Sequence, residues 1–372
     1  MSLAISEQTS PLWQSGPKPE VLPVLEEDHS CDVCVVGLGG SGLATLKKLC
    51  EGGLSVIGID AGRIAGKAAG ANGGFLLAGM ARFYHQARQT IGAEKARLIY
   101  QSTIEEIERM CGETPEAIRL TGSLRIATSP EEAADCQAQL EAMREDRLPV
   151  SPYFGPEGEG LLFPTDGSFN PWLRCRLLTG QVIALGANLY ENTPALTVAP
   201  GKVVTPAGTV RCREVVVAVD GGLEVLMPAL KGRVRTARLQ MLATAPAPEV
   251  DFPRPVYARY GLEYWQQLPD GRIALGGFRD KGGDGEWGNL SQPSPQIQAM
   301  LDKFLRETLG VEAPVTHRWA APVGFTENGL PVMEALEKGL WVMGGYCGTG
   351  NVIGAICGRT IAGLILDAFH SS

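Results

Sequence analysis

Three things are missing from this 372-residue sequence, and each absence removes a class of protein. The nine cysteines follow neither a disulfide framework nor zinc-ligand spacing. With no signal-peptide pattern at the N-terminus, the expected location is the reducing cytoplasm. No Lys/Arg cluster offsets the formal net charge of −8, which argues against a general nucleic-acid binder. No apolar run approaches the roughly 20 residues needed to span a bilayer before a glycine or a charge interrupts it, so no membrane span is expected. One C-x-x-C exists, Cys31 and Cys34 in "CDVCVVG". That stretch reads as a strand, where residues three apart point to opposite faces. No other Cys or His completes a ligand set, and no metal site is expected.

What is abundant is glycine, at 47 residues without a collagen period, which points to tight turns and close backbone approaches. Apolar residues at 44% and charged residues at 20% are ordinary for a globular chain. The length suits two domains.

The first glycine cluster carries chemistry. "GLGGSG" supplies Gly37, Gly39 and Gly42 in the spacing G-x-G-x-x-G, with Gly40 and Ser41 between them. The first glycine permits a tight turn, the second a close approach to a pyrophosphate, and the third close helix–strand packing. The apolar run "CDVCVVG" precedes it, and "SGLATLKKLCEGG" reads as a helix closed by glycines. The next strand, "LSVIGID", ends on Asp60, about 20 residues past the loop, where an acid accepts hydrogen bonds from a ribose hydroxyl. The helix N-terminus offers N–H groups to the anion. These features together predict a βαβ dinucleotide site.

Further along, the spacing predicts helices over 95–110, 130–146 (acidic in its first turn), from Pro171, over about 294–309, and at the C-terminal end. "EVVVAV" and "LWVMGG" read as buried strands, and "LEYWQQLPDGRIALGG" as a hairpin turning on Pro-Asp-Gly. Residues 1–30, with five prolines, read as an arm on the surface or partly disordered. The expected architecture is α/β: a Rossmann-type dinucleotide-binding domain of residues 31–84, 160–225 and 320–372. It interleaves with an α+β substrate domain of residues 85–159 and 226–319, built on a mostly antiparallel sheet.

The long loop "DAGRIAGKAAGANGGFL" after the acidic strand, and a second glycine-rich stretch, "YCGTGNVIG", go beyond a plain dinucleotide fold. At these places the chain resembles the D-amino-acid-oxidase type of FAD-dependent amine oxidoreductases, the family of glycine oxidase, sarcosine oxidase and glutamylputrescine oxidase. "FPTDGSFNPW", "ENTPALTV", "VVVAVDGG", "WQQLPDGRIALGGFRD" and "RWAAPVGFTENGLPVM" extend the resemblance from about residue 30 onward.

The resemblance implies FAD, held by Gly37, Gly39, Gly40, Ser41, Gly42, Asp60, Ala61, Arg63, Ala69, Asn72, Gly73 and Gly74. It adds Ala195 on a strand at 191–198 that meets the adenine, and Ala218. It places Gly348, Thr349, Gly350 and Asn351 across the flavin ring, where a helix N-terminus stabilises negative charge on the reduced ring. Relatives often carry His where Thr349 stands, and Arg where Ala71 and about Val323 stand. Some relatives attach FAD through a cysteine where this chain has Pro322 and Val323, so FAD is expected to be non-covalent. Cys347 reads as a small buried thiol.

For the substrate, the resemblance points to Tyr264, since Tyr264 and Trp265 on one strand face opposite ways. Arg279, with Arg259 or Arg318 as substitutes, is the candidate clamp for a substrate carboxylate, against the alternative of a surface pair with Asp280. Thr349 completes the candidate catalytic set, and His85 and His317 read as structural. The expected reaction is oxidation of a C–N bond in a small amine or amino acid. A hydride passes to flavin N5, water hydrolyses the imine, and oxygen or another acceptor takes the electrons. Two alternatives stay open at this point: a nicotinamide-dependent dehydrogenase, and an FAD protein without amine oxidase activity.

Overall fold

The computed structural model describes residues 8–16 and 20–371, and these form two compact units, each assembled from three separated stretches. The parallel-sheet unit comprises the described residues of Gly16–Gly70, Pro171–Ala237 and Pro322–Ser372. At its centre the strand Thr209–Val217 lies parallel to His29–Val36, which lies parallel to Val56–Ile59 and then Asn188–Tyr190. On the other side of Thr209–Val217 runs Leu340–Gly344, also parallel. Short antiparallel strands, Thr197–Ala199, Lys202–Val204 and Val332–Glu337, extend the margins.

The unbroken apolar run of the first strand follows from cover on both faces. Val33 and Val35 enter a core with the helices Gly40–Glu51, Pro171–Ala184 and Ile353–His370, while Cys34 and Val36 enter a second core with Val215, Val217 and Leu230. The helix Ile353–His370 is, among the described residues, the one helix long and apolar enough to cross a membrane by length and composition, although Gly358, Arg359, Gly363 and Asp367 interrupt its apolar run. Half of it is buried, and Ile353, Cys357, Ile361 and Ile365 lie in the core against helix Gly40–Glu51.

The two thiols of C-x-x-C depart from simple strand alternation. Cys34 is buried in the second core and Cys31 packs against that same core, beside Cys212, its register partner. Alternation lapses at Asp32 and Val33, whose N–H groups both turn to the Ser55 carbonyl (3.0 and 3.2 Å). All nine cysteines are free thiols.

The antiparallel-sheet unit comprises the described residues of Met1–Ser15, Ala71–Asn170 and Arg238–Ala321. Its sheet runs in the order Val315–Phe325, Arg235–Pro246, Arg272–Gly277, Glu263–Gln267, Val256–Ala258, Ser123–Ile126, Gly158–Phe163, Ser151–Gly155. The hairpin at 263–277 forms as its turn residues predict, whereas Val256–Ala258 runs parallel to Ser123–Ile126. Helix Pro295–Glu307 covers one face through Ile297, Leu301 and Leu305, which pack with Trp265 and Leu275. The helices Ala93–Glu113 and Pro130–Glu145 belong to a separate core with Phe83, Tyr84 and Tyr257. Pro130–Glu145 is closed by a capping box: Ser129 Oγ accepts from Glu132 N, and Glu132 Oε2 accepts from Thr128 N.

The compact units divide the chain differently from the expected domains. Residues 71–84 and 160–170 fall in the antiparallel-sheet unit, because Phe75–Leu76 pairs with Gly167–Phe169, which pairs with Ile118–Arg119. Residues 226–237 go the other way, since Met227, Leu230 and Val234 lie in the core of the parallel-sheet unit. The N-terminal stretch is not a loose arm where it is described. Leu12 and Trp13 are buried in one unit and Leu25 in the core of the other. Residues 1–7 and 17–19 of that expectation lie outside the described residues.

Candidate active site

The first glycine loop is shaped by steric necessity. Gly37 has φ +98°, and a Cβ there would lie 2.7 Å from the Ala218 carbonyl oxygen. A Cβ on Gly42 would lie 1.9 Å from the Gly37 carbonyl oxygen, so only glycine lets the helix start against the turn. At Gly39 an added Cβ would come 3.1 Å from the Ala69 Cβ, and at Gly40 it would meet nothing within 4 Å. The loop is therefore closed toward the protein at Gly37 and Gly42, tight at Gly39 and open at Gly40, where helix Gly40–Glu51 begins. That arrangement fits a pyrophosphate resting on the helix N-terminus. Ser41, at the same end, is buried.

Asp60 sits where an acid is expected, and it also braces the loop. Its Oδ2 accepts from Leu38 N (2.8 Å) and its Oδ1 from Gly62 N (2.9 Å). Each oxygen keeps a further lone pair for a ribose hydroxyl. Burial pushes the Asp60 carboxyl up, while these two N–H groups pull it down. Arg63 places Nε 2.7 Å from Glu191, a fully buried carboxylate that also accepts from Leu22 N and Ile64 N. Glu191 escaped the sequence reading, yet it anchors the loop carrying Ala61 and Arg63. Ala195 lies in a loop between Asn188–Tyr190 and Thr197–Ala199, not on a strand at 191–198. Left-handed Asn192 (φ 49°) ends the strand there.

The second glycine loop is held by a side chain. Asp220 accepts from Gly345 N (2.9 Å) and Tyr346 N (3.1 Å) on Oδ1, and from Gly324 N (3.1 Å) on Oδ2. Burial pushes its carboxyl up to about 6 against the pull of those N–H groups. Cys347 is half-buried rather than buried and adopts a left-handed φ of 54°. Its sulfur accepts from Thr326 N (3.3 Å). Gly348, at φ +88°, is exposed with open space at the Cβ position. Thr349 turns its hydroxyl back to donate to the Tyr346 carbonyl (2.7 Å). Gly350 lies against the Tyr346 ring, where a Cβ would come 2.9 Å from a ring carbon. Asn351 follows in the turn, and the helix begins at Ile353 with bonds from Ile353 N to Thr349 O and from Gly354 N to Gly350 O.

The remaining candidates lie in the antiparallel-sheet unit. Asn72 Oδ1 accepts from Gly74 N (2.9 Å), and Gln266 Nε2 donates to the carbonyls of Gly73 (2.5 Å) and Gly74 (3.1 Å). Two indoles fix the loop's approach: Trp319 Nε1 donates to Ala71 O and Trp13 Nε1 to Asn72 O, both 2.7 Å. None of these three holders was found from sequence, because they lie far from the loop along the chain.

Tyr264 packs between glycines, its ring 3.1 Å from where a Gly73 Cβ would stand and 2.4 Å from a Gly276 Cβ. Trp265 points the opposite way, into the core with Phe252 and Phe304. Burial pushes the Tyr264 hydroxyl up, and the positive charge of Arg279 pulls it down, so these two candidates share one neighbourhood.

The candidate clamps separate cleanly. Arg259 pairs with both Glu263 and Asp280. Arg318 is buried and pairs with both oxygens of Asp302. Arg279 stacks 5.1 Å from the Trp287 ring. His85 contacts Asp135, and His317 bonds to Thr316 and Ser15. Among the described residues no group of three His, Cys, Asp or Glu is placed to hold a metal ion.

The model of the FAD-dependent oxidoreductase family of the D-amino-acid oxidase type matches residues 32–364. The chain belongs to this family. Among relatives, a probable oxidoreductase OrdL of Rhizobium meliloti is 28% identical, covering 95% of this chain and 88% of that protein. The gamma-glutamylputrescine oxidoreductase of Escherichia coli is 25% identical over 97% of this chain and 90% of its own length. The fold is shared with glycine oxidase from Geobacillus kaustophilus, at a TM-score of 0.75 and 20% identity over 91% of this chain and 95% of that one. It is shared as well with L-proline dehydrogenase from P. horikoshii, at a TM-score of 0.75 and 18% identity over 92% and 95%. Family membership makes this an FAD-dependent oxidoreductase and sets the nicotinamide alternative aside.

Proposed function

We propose that this FAD-dependent oxidoreductase oxidises a C–N bond of a small amine or amino acid, with oxygen as electron acceptor. The observation that carries the proposal is the setting of Tyr264: a half-buried phenol between two glycines, with the Arg279 charge beside it. The gamma-glutamylputrescine oxidoreductase and glycine oxidase, named for an amine and an amino-acid substrate, support the same bond type. FAD bound here would supply the electron sink for a hydride from the carbon next to the substrate nitrogen.

The chain contributes position and polarity. Tyr264, held protonated by burial, donates a hydrogen bond and does not act as a base. Arg279 orients an anionic group of the substrate. An amine that binds neutral requires no strong base, and water hydrolyses the released imine. In this proposal Gly39 and Gly40 carry the pyrophosphate and Asp60 a ribose hydroxyl. FAD is non-covalent, since Pro322 and Val323 occupy the stretch where some relatives carry a linking cysteine. The nine free thiols support a reducing compartment, the cytoplasm.

The test is a stopped-flow panel of amines and amino acids mixed with the yellow holoenzyme without oxygen, followed by mixing with oxygen. Bleaching by at least one member and recovery on aeration are expected. A flavin that stays oxidised across the panel sinks the proposal. Recovery only with another acceptor corrects the oxidase part. Acid precipitation that leaves the flavin in the supernatant is the expected mark of non-covalent binding.

A further inference from the structure

Three arginines are buried in the antiparallel-sheet unit, and two of them have carboxylate partners. Arg238 pairs with both oxygens of Glu286 (3.0 and 2.6 Å), and Arg318 with both oxygens of Asp302 (2.9 Å each). Arg125 differs. It is 8% exposed, its Nη1 donates to Gln139 Oε1 (3.0 Å), it also bonds to Tyr257, and its Nε has no partner among the described residues. The neighbouring buried carboxyl, Asp166, feels the Arg125 charge but spends its hydrogen bonds on Ala78 N (2.9 Å) and Ser123 Oγ (2.6 Å).

Aromatic rings surround the Arg125 guanidinium, at 4.0 Å from Phe83, 4.9 Å from Tyr257 and 6.0 Å from Phe163. Cation–π contact offsets only part of the cost of taking a cation out of water. The guanidinium lines a cavity of about 20 Å³, more than the roughly 10–15 Å³ a single water needs. A second residue lining the same cavity, Tyr100, is 4% exposed, and its hydroxyl has no partner among the described residues. Both can donate, and one is positively charged. The complementary ligand is a small anion with two acceptor oxygens in a plane, which describes a carboxylate.

The cavity also has a place relative to Tyr264. Arg125 is the register partner of Tyr257, and Tyr257 is the register partner of Tyr264. Two strand spacings separate the guanidinium's strand from that of Tyr264, about 10 Å across one face of the sheet.

We propose that this cavity is a carboxylate subsite formed by Arg125 and Tyr100, and that it receives the far end of the substrate. The substrate class is then an amine bearing a carboxylate at the end remote from the carbon that is oxidised. The substrate half of this inference rests on the proposed amine oxidation; the anion site itself does not.

Calorimetric titration of the holoenzyme with glutarate, and with glutaramide as its uncharged counterpart, tests the site without turnover. Glutarate is expected to bind at least about tenfold more tightly than glutaramide. R125M is expected to weaken glutarate at least about tenfold, and Y100F by about threefold. Flavin content and melting temperature establish that each variant is folded, and Y100F decides if R125M does not fold. Equal affinity for the two probes, or full glutarate affinity in whichever folded variant is read, overturns the subsite.

Two further arms identify the carboxylate's source. A KM for an ω-amino acid at least about tenfold below that of the matching alkylamine, with the preference lost in R125M, assigns it to the substrate. Stimulation of alkylamine turnover by added acetate, without that preference, keeps the site but overturns its substrate role. Arg125-dependent glutarate binding with no amine able to bleach the flavin keeps the subsite and rejects the proposed reaction. Bleaching with Arg125-independent binding does the reverse.

Discussion

The two glycine-rich loops of the parallel-sheet unit look alike in sequence and are held by different physics. At 37–42 the backbone packs on itself, and an added Cβ would overlap a carbonyl oxygen at 1.9 Å. At 344–350 one loop glycine, Gly348, faces open space, and the turn is fixed by three N–H groups that converge on Asp220. One loop is set by shape, the other by a buried carboxylate. Shape tolerates nothing at its contact points, whereas a polar clasp is adjustable and responds to pH.

That contrast ranks the expected damage. G42A is expected to be the most severe, costing about 3 kcal/mol or preventing folding, because no side chain can move aside. Flavin absorbance and denaturant unfolding read it out, and a yellow variant of normal stability would break the steric account. D220A strands three N–H groups and is expected to cost about 1–3 kcal/mol, with weaker FAD retention on dialysis.

The pH arm of the clasp has a definite sign. Asp220 rises from an ordinary 3.8 to about 6 on folding, so its stabilising contribution is full below about pH 4. It is lost as pH rises through about 6. Melting temperature against pH should show this slope in the wild type and lack it in D220N; an unchanged slope removes Asp220 as its source. G348A has the smallest expected effect, about 1 kcal/mol, from left-handed backbone alone. G348N should recover most of it, since Asn tolerates that region.

Legibility followed the distance over which each feature is determined. The first loop, its helix and Asp60 form one local unit, and the sequence reading located all of them. The hairpin at 263–277 was legible for the same reason, through its Pro-Asp-Gly turn. The clasp was not: Asp220 lies 125 positions before Gly345, and nothing near either residue marks the pairing. Trp13 and Trp319 hold the loop at 71–74 from equally remote places, which is why the N-terminal stretch was misread as an arm. Cys31 was misplaced because alternation fails where two N–H groups share the Ser55 carbonyl, a tertiary event. Arg125 is one charged residue in the short strand Ser123–Ile126 and announces nothing until the unpartnered Nε is visible.

The interleaving also dictates an order of assembly. The strand–helix–strand segment that starts the parallel sheet leaves the ribosome long before Thr209–Val217, the strand it must sit beside. Its helix Gly40–Glu51 is covered by Ile353–His370, and Gly358 packs so closely on Ser41 that a Cβ would lie 2.4 Å from its carbonyl oxygen. An early fragment leaves the face that packs on Ile353–His370 uncovered, so the sheet is expected to close only once that helix has emerged. Synthesis therefore passes through a long interval with Val33, Val35, Leu43 and Leu46 uncovered, a period of exposure to chaperones and to aggregation.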